Sequence, residues 1–281
     1  MSITIRNLAD DDLVKADTLL SAAFQSPVSR IQDLHFYRQI EPDGWFVALL
    51  EGNLVGMVGA VNYRVFAHVG LMAVNPSAQR KGIGLTLMQF LLTKLDQQVP
   101  MIFLDASEVG RPLYNRLGFV AFDGSVTYRQ RRSFTNEVCT SNIQAIANRD
   151  LDEIVKWDQG IFGANRKKVF QALLDMYPQR AFLQRDTDGQ LSGYIFAQKN
   201  RIGPWVMLQR CNAGELLLTA LALPYEGTIS IVVPAVNQEA VILLQQYGFE
   251  QVRNNQRMGR HTENIPGQRE LIYAQTSLAV G

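Results

Sequence analysis

The hexapeptide QRKGIG at residues 79–84 combines residue types that are suited to binding an anion. Arg80 and Lys81 bring positive charge, and Gly82 and Gly84 carry no side chain that would keep an anion from the backbone. The first N–H groups of a helix lack intrahelical partners and lie at the positive end of its dipole. Placed between a predicted strand and a predicted helix, the hexapeptide therefore favours a pyrophosphate site. The alternative is a helix start eased by glycine beside solvated cations.

Two better known phosphate loops do not fit this stretch. The GxxxxGK[ST] spacing of nucleotide-binding P-loops is absent, and so is the GxGxxG pattern with its downstream acidic residue. If this stretch binds a pyrophosphate, the protein belongs to neither the P-loop class nor the class with the GxGxxG pattern.

Periodicity predicts the elements that hold this loop in place. The predicted strands are ITIRNL, HVGLMAV, MIFLDA, VAFDGSVTYRQR and a hairpin, WFVALLEGNLVGMVGAVNYRVF, which turns at 51–53. The predicted helices are DDLVKADTLLSAAF, QDLHFYRQI, LTLMQFLLTKL and GRPLYNRLGF.

The same pattern occurs twice along the chain, which indicates an internal repeat. Residues 5–24 resemble residues 143–162, and QRKGIG aligns with QRCNAG at 209–214. In the second alignment, without a gap, LGF at 117–119 meets YGF at 247–249. We therefore predict two tandem α+β domains, 1–132 and 140–276, each a mixed, mostly antiparallel sheet flanked by helices.

Composition excludes several classes of protein. The 281 residues carry a formal net charge of +1, which argues against a nucleic-acid-binding protein. The only two cysteines, Cys139 and Cys211, are far apart and without a histidine cluster, so we expect no metal. No leader-like N-terminus and no apolar run of the ~18 residues that span a bilayer is evident, so we expect a cytoplasmic chain with no membrane partner.

The N-terminal copy resembles the GNAT superfamily of acyl-CoA-dependent N-acyltransferases on two motifs. VNPSAQRKGIG is similar to the V-x-P-x-x-(Q/R)-x-x-G-x-(G/A) signature of that family, and DASEVGRPLYNRLGF resembles its second coenzyme-binding motif. The resemblance implies acetyl-CoA as acyl donor, with the pyrophosphate on the amides of the loop and the pantetheine arm along a strand splayed from its neighbour. The residues that it implicates in coenzyme binding are Met72, Ala73, Val74, Gln79, Arg80, Lys81, Gly82, Ile83, Gly84, Leu85, Ser107 and Arg111.

Acyl transfer from a thioester to an amine needs a proton for the departing thiolate. Tyr114 falls four residues before Gly118, where the family commonly places the tyrosine that supplies this proton. A phenol at hydrogen-bond distance is able to do so. The alternative is a tyrosine that only packs under its helix.

The base that would deprotonate the attacking amine is less clearly marked in the sequence than Tyr114. His68 lies at the strand position where some family members carry a glutamate base, and strand alternation predicts that it shares a face with Gly70, Met72 and Val74. Its imidazole would accept the amine proton directly or through water. A partly buried strand histidine is the alternative reading. His35, with Phe36 and Tyr37, is a further candidate for the wall of a substrate site.

The C-terminal copy keeps the spacing of the motifs but lacks the residue types that would carry out their chemistry. Cys211 and Asn212 replace the lysine and first glycine of the loop, and Leu244 stands where the N-terminal copy has Tyr114. This copy is predicted to be degenerate, retained for structure, dimerisation or substrate binding.

Two further features of the C-terminal copy leave alternatives open. Asp158, Phe162 and Arg166 would line one helix face if the helix continued through Gly163, whereas a helix that stops there would use that glycine as its C-cap. In addition, Arg166 and Trp205 are candidates for recognising a carboxylate-bearing or flat substrate.

The sequence thus predicts an acetyl-CoA-dependent N-acetyltransferase that acts on a primary amine, chiefly of a small molecule, by direct attack in a ternary complex. The resemblance adds a homodimer as a candidate assembly. A protein lysine or N-terminal acetyltransferase is an alternative, which would need an open, acidic groove near residues 11–40 and Glu41 and Asp43. A non-catalytic acyl-CoA sensor is an alternative from another class.

Overall fold

The N-terminal half of the chain forms the alternating strands and helices that its periodicity predicts. A computed structural model describes residues 3–131, 142–208 and 213–281. The strands of this half are β1 (Ile3–Asn7), β2 (Trp45–Leu50), β3 (Asn53–Asn62), β4 (Ala67–Val74), β5 (Ile102–Ala106) and β6 (Val120–Gln130). Its α-helices are α1 (Leu13–Phe24), α2 (Ile31–Ile40), α3 (Ile83–Leu95) and α4 (Arg111–Arg116).

The C-terminal half repeats most of this succession. Its strands are β7 (Ile143–Ala145), β8 (Ala181–Arg185), β9 (Leu191–Ala197), β10 (Arg201–Met207), β11 (Ser230–Pro234), β12 (Phe249–Arg260) and β13 (Ile272–Ala274). Its α-helices are α5 (Leu151–Phe162), α6 (Lys167–Met176), α7 (Ala213–Leu221) and α8 (Gln238–Gln246).

The start of each copy shows why the two sequences resemble each other. A short 3₁₀ helix follows β1 and another follows β7, and each leads directly into a 12-residue α-helix. The carboxylate of Asp12 accepts a hydrogen bond from the backbone N–H of Ala9 at 2.9 Å, and that of Asp150 accepts from Ala147 at 2.8 Å. A carboxylate three residues on thus satisfies an N–H group at the helix entry in both copies.

Contacts between Cα atoms divide the chain into two units. The N-terminal unit contains residues up to 121 together with 258–263 and 280, and the C-terminal unit contains 122–257, 264–279 and 281. In the N-terminal unit the strand order is β1-β2-β3-β4-β5, followed by the last residues of β12. Among β1 to β5, neighbouring strands are antiparallel except β4 and β5, which are parallel.

Helices cover both faces of the sheet in the N-terminal unit. Ile83 and Leu87 of α3 are buried in one cluster with Val58 and Val69 of the sheet. Helix α1 packs on β3 and β4 as well, but its buried residues do not belong to that cluster. The two helices therefore lie on opposite faces.

The C-terminal unit has the same arrangement around a core of its own. The order is β7-β8-β9-β10-β11-β6, followed by the earlier part of β12, and β13 pairs with β10. Again only the pair at the centre, β10 and β11, is parallel among β7 to β11. Trp205 is fully buried in this core.

Each unit is completed by a strand from the other half of the sequence. β6 is the last strand of the N-terminal copy along the chain, yet it pairs antiparallel with β11 of the C-terminal unit. Residues 258–263 come from the C-terminal copy but belong to the N-terminal unit, where Gly259 lies against Phe103. The two contact units therefore do not coincide with the domains 1–132 and 140–276 predicted from the sequence. Those bounds stay a prediction for the two family domains.

The fold class predicted from the sequence is confirmed: two α+β units in tandem, each with a mixed, mostly antiparallel sheet flanked by helices. Within the described ranges, no helix is both long and apolar enough to cross a membrane.

Candidate active site

The predicted phosphate loop presents a row of backbone N–H groups without acceptors. Helix α3 begins at Ile83, and its first backbone hydrogen bond runs from the N–H of Thr86 to the carbonyl of Gly82 at 3.0 Å. The N–H groups of residues 79–85 donate to no acceptor in the part of the chain that the structure describes. They form the donor set that a pyrophosphate needs at a helix N-terminus.

The backbone of this loop bends through two left-handed residues. Arg80 has φ 62° and Gly82, the N-cap of α3, has φ 79°. A Cβ at Gly82 would meet no atom within 4 Å, so the space in front of the helix start is open. Arg80 and Lys81 are exposed, and within the described residues neither forms an ion pair.

Gly84 shows that three elements converge at this helix start. A Cβ there would lie 3.1 Å from Met72 Cε, 3.7 Å from Val74 Cγ2 and 3.6 Å from Leu113 Cδ2. The residue thus lies at the meeting point of α3, the end of β4 and α4. Its small size is explained by this close packing in addition to any approach of an anion.

A bulge interrupts β4 just before its last residues. Gly59 of β3 pairs with Gly70, whereas Met57 pairs with Ala73, so β4 has one residue more than β3 over this stretch. Leu71 takes the left-handed conformation with φ 53°. An extra residue of this kind bends the strand and turns the following side chains to the other face.

The bulge corrects one expectation about His68. Because alternation changes at Leu71, His68 shares a face with Gly70 and Ala73, and Val74 shares the opposite face with Val69. Val69 is in the cluster under α3, and Val74 packs against it. The prediction that His68 points to the same face as Met72 and Val74 is therefore wrong.

β4 and β5 separate beyond the start of their pairing. The parallel register runs from Ala67 with Ile102 to Val69 with Leu104. Beyond Leu71 the described residues supply no partner strand for β4 on the side of β5. An open strand edge of this kind is able to bind an extended amide-bearing ligand as an added strand does.

The three predicted residues on this open stretch differ in exposure. Met72 and Val74 are half-buried, whereas the side chain of Ala73 is buried. The carbonyl of Val74 accepts a hydrogen bond from Gln79 Nε2 at 3.2 Å, which ties the end of β4 to the phosphate loop.

Tyr114 lies on α4, next to Leu113 of the convergence point. Its ring is nearly buried, packs edge-on against Phe119 at 6.1 Å between centroids, and would touch a Cβ at Gly110. Burial raises the pKa of Tyr114 above its ordinary value, so the phenol keeps its proton at neutral pH. Its hydroxyl has no hydrogen-bond partner among the described residues. The residue is a core side chain that still has a proton to donate.

His68 is buried beside a carboxylate that the sequence did not pair with it. Its Nε2 lies 3.5 Å from Asp105 Oδ2, and neither side chain is exposed. His68 pairs with Phe103 across the parallel strands, so Asp105 follows on the same face two residues later. Strand register therefore brings the two together, and this register was not predictable from either residue alone.

Ser107 and Arg111 both lie at the start of α4. Ser107 Oγ accepts a hydrogen bond from the N–H of Gly110 at 3.2 Å, and its carbonyl accepts from the N–H of Arg111 at 3.0 Å. The side chain of Arg111 is exposed. Ser107 therefore organises the helix start, and its hydroxyl proton remains available to a ligand.

The expected substrate wall around His35 is not formed. His35 is exposed, whereas the rings of Phe36 and Tyr37 are buried. Tyr37 stacks on Trp45 at 5.2 Å, and its carbonyl accepts from Trp45 Nε1 at 2.8 Å. These aromatic residues belong to the core because the apolar face of α2 packs inward.

In the C-terminal unit, the position of Tyr114 is occupied by Leu244, which is fully buried on α8. The side chain of Asn237 accepts from the N–H of Ala240 at 2.9 Å, as Ser107 accepts from Gly110 in the N-terminal unit. Residues 209–212, which include Cys211 and Asn212, lie outside the described residues, as does Cys139.

The helix face proposed around Arg166 does not extend across Gly163. Helix α5 ends at Phe162, and Gly163 is its C-cap with φ 91°. Arg166 is buried and donates to both carboxylate oxygens of Asp158 at 2.8 Å. Trp205 is buried as well, so the prediction that these two side chains recognise a substrate is wrong.

Within the described ranges, no three His, Cys, Asp or Glu side chains lie close enough together to hold a metal ion.

Comparisons with known proteins agree with this geometry. Two sequence profiles, each described as an acetyltransferase (GNAT) domain, match residues 15–139 and 154–274. An uncharacterised N-acetyltransferase of Bacillus subtilis, YitH, is 24% identical over 238 residues, with 83% of each chain covered. A holothin acyltransferase of Pseudoalteromonas is 26% identical over 256 residues, covering 89% of this chain and 85% of that protein.

Solved structures show the same fold over the whole length. A putative acetyltransferase from Pyrococcus horikoshii superposes with a TM-score of 0.88 at 26% identity, covering 99% of this chain and 96% of that one. A GCN5-related N-acetyltransferase from Sphaerobacter thermophilus superposes with a TM-score of 0.70 at 14% identity, covering 94% and 97%. The chain therefore belongs to the GNAT acetyltransferases and carries two domains of that family in tandem.

Proposed function

We propose that the N-terminal unit transfers an acetyl group from acetyl-CoA to the primary amine of a small molecule, by direct attack in a ternary complex. The observation that carries this proposal is the combination of free N–H groups at residues 79–85 with the open edge of β4 beyond Leu71. The two features meet at Gly84, and they are the two parts that a long, phosphate-bearing thioester needs.

The residues present fit the coenzyme. The amides of the loop, with Arg80 and Lys81, would hold the pyrophosphate, because free N–H groups and cations favour anions. The backbone of Met72, Ala73 and Val74 would hold the amides of the pantetheine arm. When bound, acetyl-CoA supplies the thioester carbonyl that the amine attacks and the thiolate that leaves.

Two side chains would take part in the proton transfers of the reaction. Tyr114 holds a proton at neutral pH and would donate a hydrogen bond to the departing sulfur. Because burial makes the phenol a weaker acid, this hydrogen bond matters more than full proton transfer. An amine with pKa ~10.4 must lose a proton at a cost of about 4.6 kcal/mol at pH 7, and His68 would accept that proton directly or through water.

The surroundings of helices α1 and α2 favour a small molecule over a protein lysine. An acidic groove for a protein substrate would need free carboxylates, but several of those in this region are engaged. Asp10 pairs with Arg38, and Asp12 pairs with Arg6. Glu41 Oε2 accepts from the N–H of Asn62 at 2.8 Å. One relative is a holothin acyltransferase, so holothin belongs among the acceptors to be screened.

Titration calorimetry with acetyl-CoA tests the coenzyme site. We expect wild-type protein to bind, and Gly82→Asp to lose binding because a carboxylate would face the pyrophosphate in front of α3. Gly52→Asp is the matched control: Gly52 also has positive φ, with no neighbour within 4 Å of its Cβ position, and lies in the turn between β2 and β3.

The outcomes separate an enzyme from a sensor. Equal binding by Gly82→Asp and wild type would remove the loop from the site. Binding without acetylation of any amine in a broad screen, followed by mass spectrometry of the products, would favour the non-catalytic sensor instead.

A further inference from the structure

The C-terminal unit has the same parallel strand pair as the N-terminal unit, but its gap is filled. β10 and β11 pair only where Arg201 meets Ser230 and Ile202 meets Ile231. Beyond that point β10 pairs antiparallel with β13, with Trp205 opposite Ala274 and Val206 near Ile272.

The other edge of β13 is bonded as well. The backbone N–H of Gln275, directly after β13, donates to the carbonyl of Val232 on β11 at 2.8 Å. The chain segment that contains β13 therefore lies between β10 and β11 and uses backbone groups of both.

Side chains hold this segment in place from two directions. Asn237 Nδ2 donates to the carbonyl of Ile272 at 3.0 Å, and both residues are buried. The ring of Tyr273 lies 4.9 Å from that of Trp205, and its hydroxyl donates to Glu239 Oε2 at 3.2 Å. All three residues of β13 are buried.

The backbone of β10 is shaped for this close approach. Gly203 has φ 143°, and a Cβ there would lie 2.0 Å from the carbonyl oxygen of Gln275. Only glycine allows the two backbones to come so near.

We propose that β13 permanently occupies, in the C-terminal unit, the place that the pantetheine arm takes along β4 in the N-terminal unit, so that the C-terminal unit binds no coenzyme. The proposal rests on the proposed function of the open edge of β4. It adds a cause that does not depend on the lost tyrosine: the backbone groups that would bind the amides of the arm already bind a strand of the same chain. Restoring a tyrosine at Leu244 would therefore not restore a coenzyme site.

Hydrogen exchange of the backbone amides at residues 272–275, followed by mass spectrometry in the full-length protein, tests this directly. We expect exchange slowed at least ~100-fold relative to an unstructured peptide, as for sheet interiors, and unchanged by saturating coenzyme A. Gly203→Ala should speed this exchange about tenfold or more, because its methyl group collides with Gln275. Gly160→Ala, with no atom within 4 Å of the new methyl group, is the control and should change nothing.

A milder variant covers the case in which Gly203→Ala fails to fold. Asn237→Asp keeps the oxygen that accepts from Ala240 but loses the N–H that donates to Ile272. It should speed exchange at 272–275 by about tenfold while α8 stays protected.

Coenzyme A titration of the Gly82→Asp variant completes the test. Two coenzyme A molecules bound per wild-type chain, falling to one in Gly82→Asp, would overturn the proposal, and so would exchange at 272–275 as fast as in an exposed loop. Slow exchange with no binding by the variant supports it. If wild-type protein binds no coenzyme while 272–275 stay protected, the proposed function fails and the occupancy by β13 is still supported.

Discussion

His68 Nε2 and Asp105 Oδ2 lie 3.5 Å apart on neighbouring parallel strands, with both side chains fully buried. The pair is located where β4 and β5 are still in register, just before the two strands separate. A carboxylate in this position is suited to orient an imidazole by accepting its N–H.

We expect His68→Gln to lower kcat/KM by about 100-fold, because general bases typically contribute factors of this size or more. Asp105→Asn should lower it less, since the imidazole remains. The double variant should lose little more than His68→Gln alone, because coupled residues are not additive. Steady-state kinetics over a range of pH checks this, and a folded His68→Gln with wild-type turnover would assign His68 to packing.

Tyr114→Phe should lower kcat by about 100-fold, since the departing sulfur loses its hydrogen-bond donor. The Kd for acetyl-CoA should change less than about twofold, because the ring and its packing remain. Phe119→Leu is the control for packing: it alters the ring that contacts Tyr114 but leaves the hydroxyl, so stability should fall while kcat is nearly unchanged. Equal turnover in Tyr114→Phe and wild type would contradict the role.

A fragment of residues 1–132 should not fold as an independent domain. In the full chain β6 pairs with β11, and residues 258–260 of β12 lie beside β5. The fragment lacks both partners and leaves β5 as an exposed edge, which favours aggregation. Circular dichroism during heating should show no cooperative transition. A sharp transition in a monomeric fragment would show that the exchanged strands are dispensable.

Asp12→Asn should lower the free energy of unfolding by about 1–2 kcal/mol, because Arg6 loses a charged partner. Asp11→Asn, on an exposed neighbour, is the control. Hydrogen bonds from Arg6 hold the pKa of Asp12 below its ordinary value. The contribution of this carboxylate is therefore present above about pH 4 and is lost as pH falls through its folded pKa. Denaturation between pH 2 and 7 should be less pH-dependent in Asp12→Asn.

Local patterns were enough to predict the elements, the repeat and the family. Apolar periodicity placed α3 and β4, and the repeated acidic helix entry at Asp12 and Asp150 marked the two copies. These features depend on residues close together in sequence, where spacing alone determines which groups meet.

Features that depend on pairing between distant strands were not predictable. Nothing in VGLMAV marks Leu71 as left-handed, and its extra residue reverses the face that alternation predicts for Val74. The pairing of Asp105 with His68 follows from the register of β4 and β5, and the place of β13 follows from that of β10 and β11. The role of Gly203 likewise depends on the carbonyl of Gln275, 72 positions later.

The exchange of strands also sets an order of events during synthesis. The first 121 residues leave the ribosome well before residues 258–263, which complete the sheet beside β5. At ~5–20 residues per second, roughly 7–27 s pass between synthesis of residue 121 and synthesis of the last strand of the N-terminal unit. During that interval the edge of β5 is open to other chains, so rapid translation of the C-terminal half, or a chaperone that covers this edge, should raise the yield of folded protein.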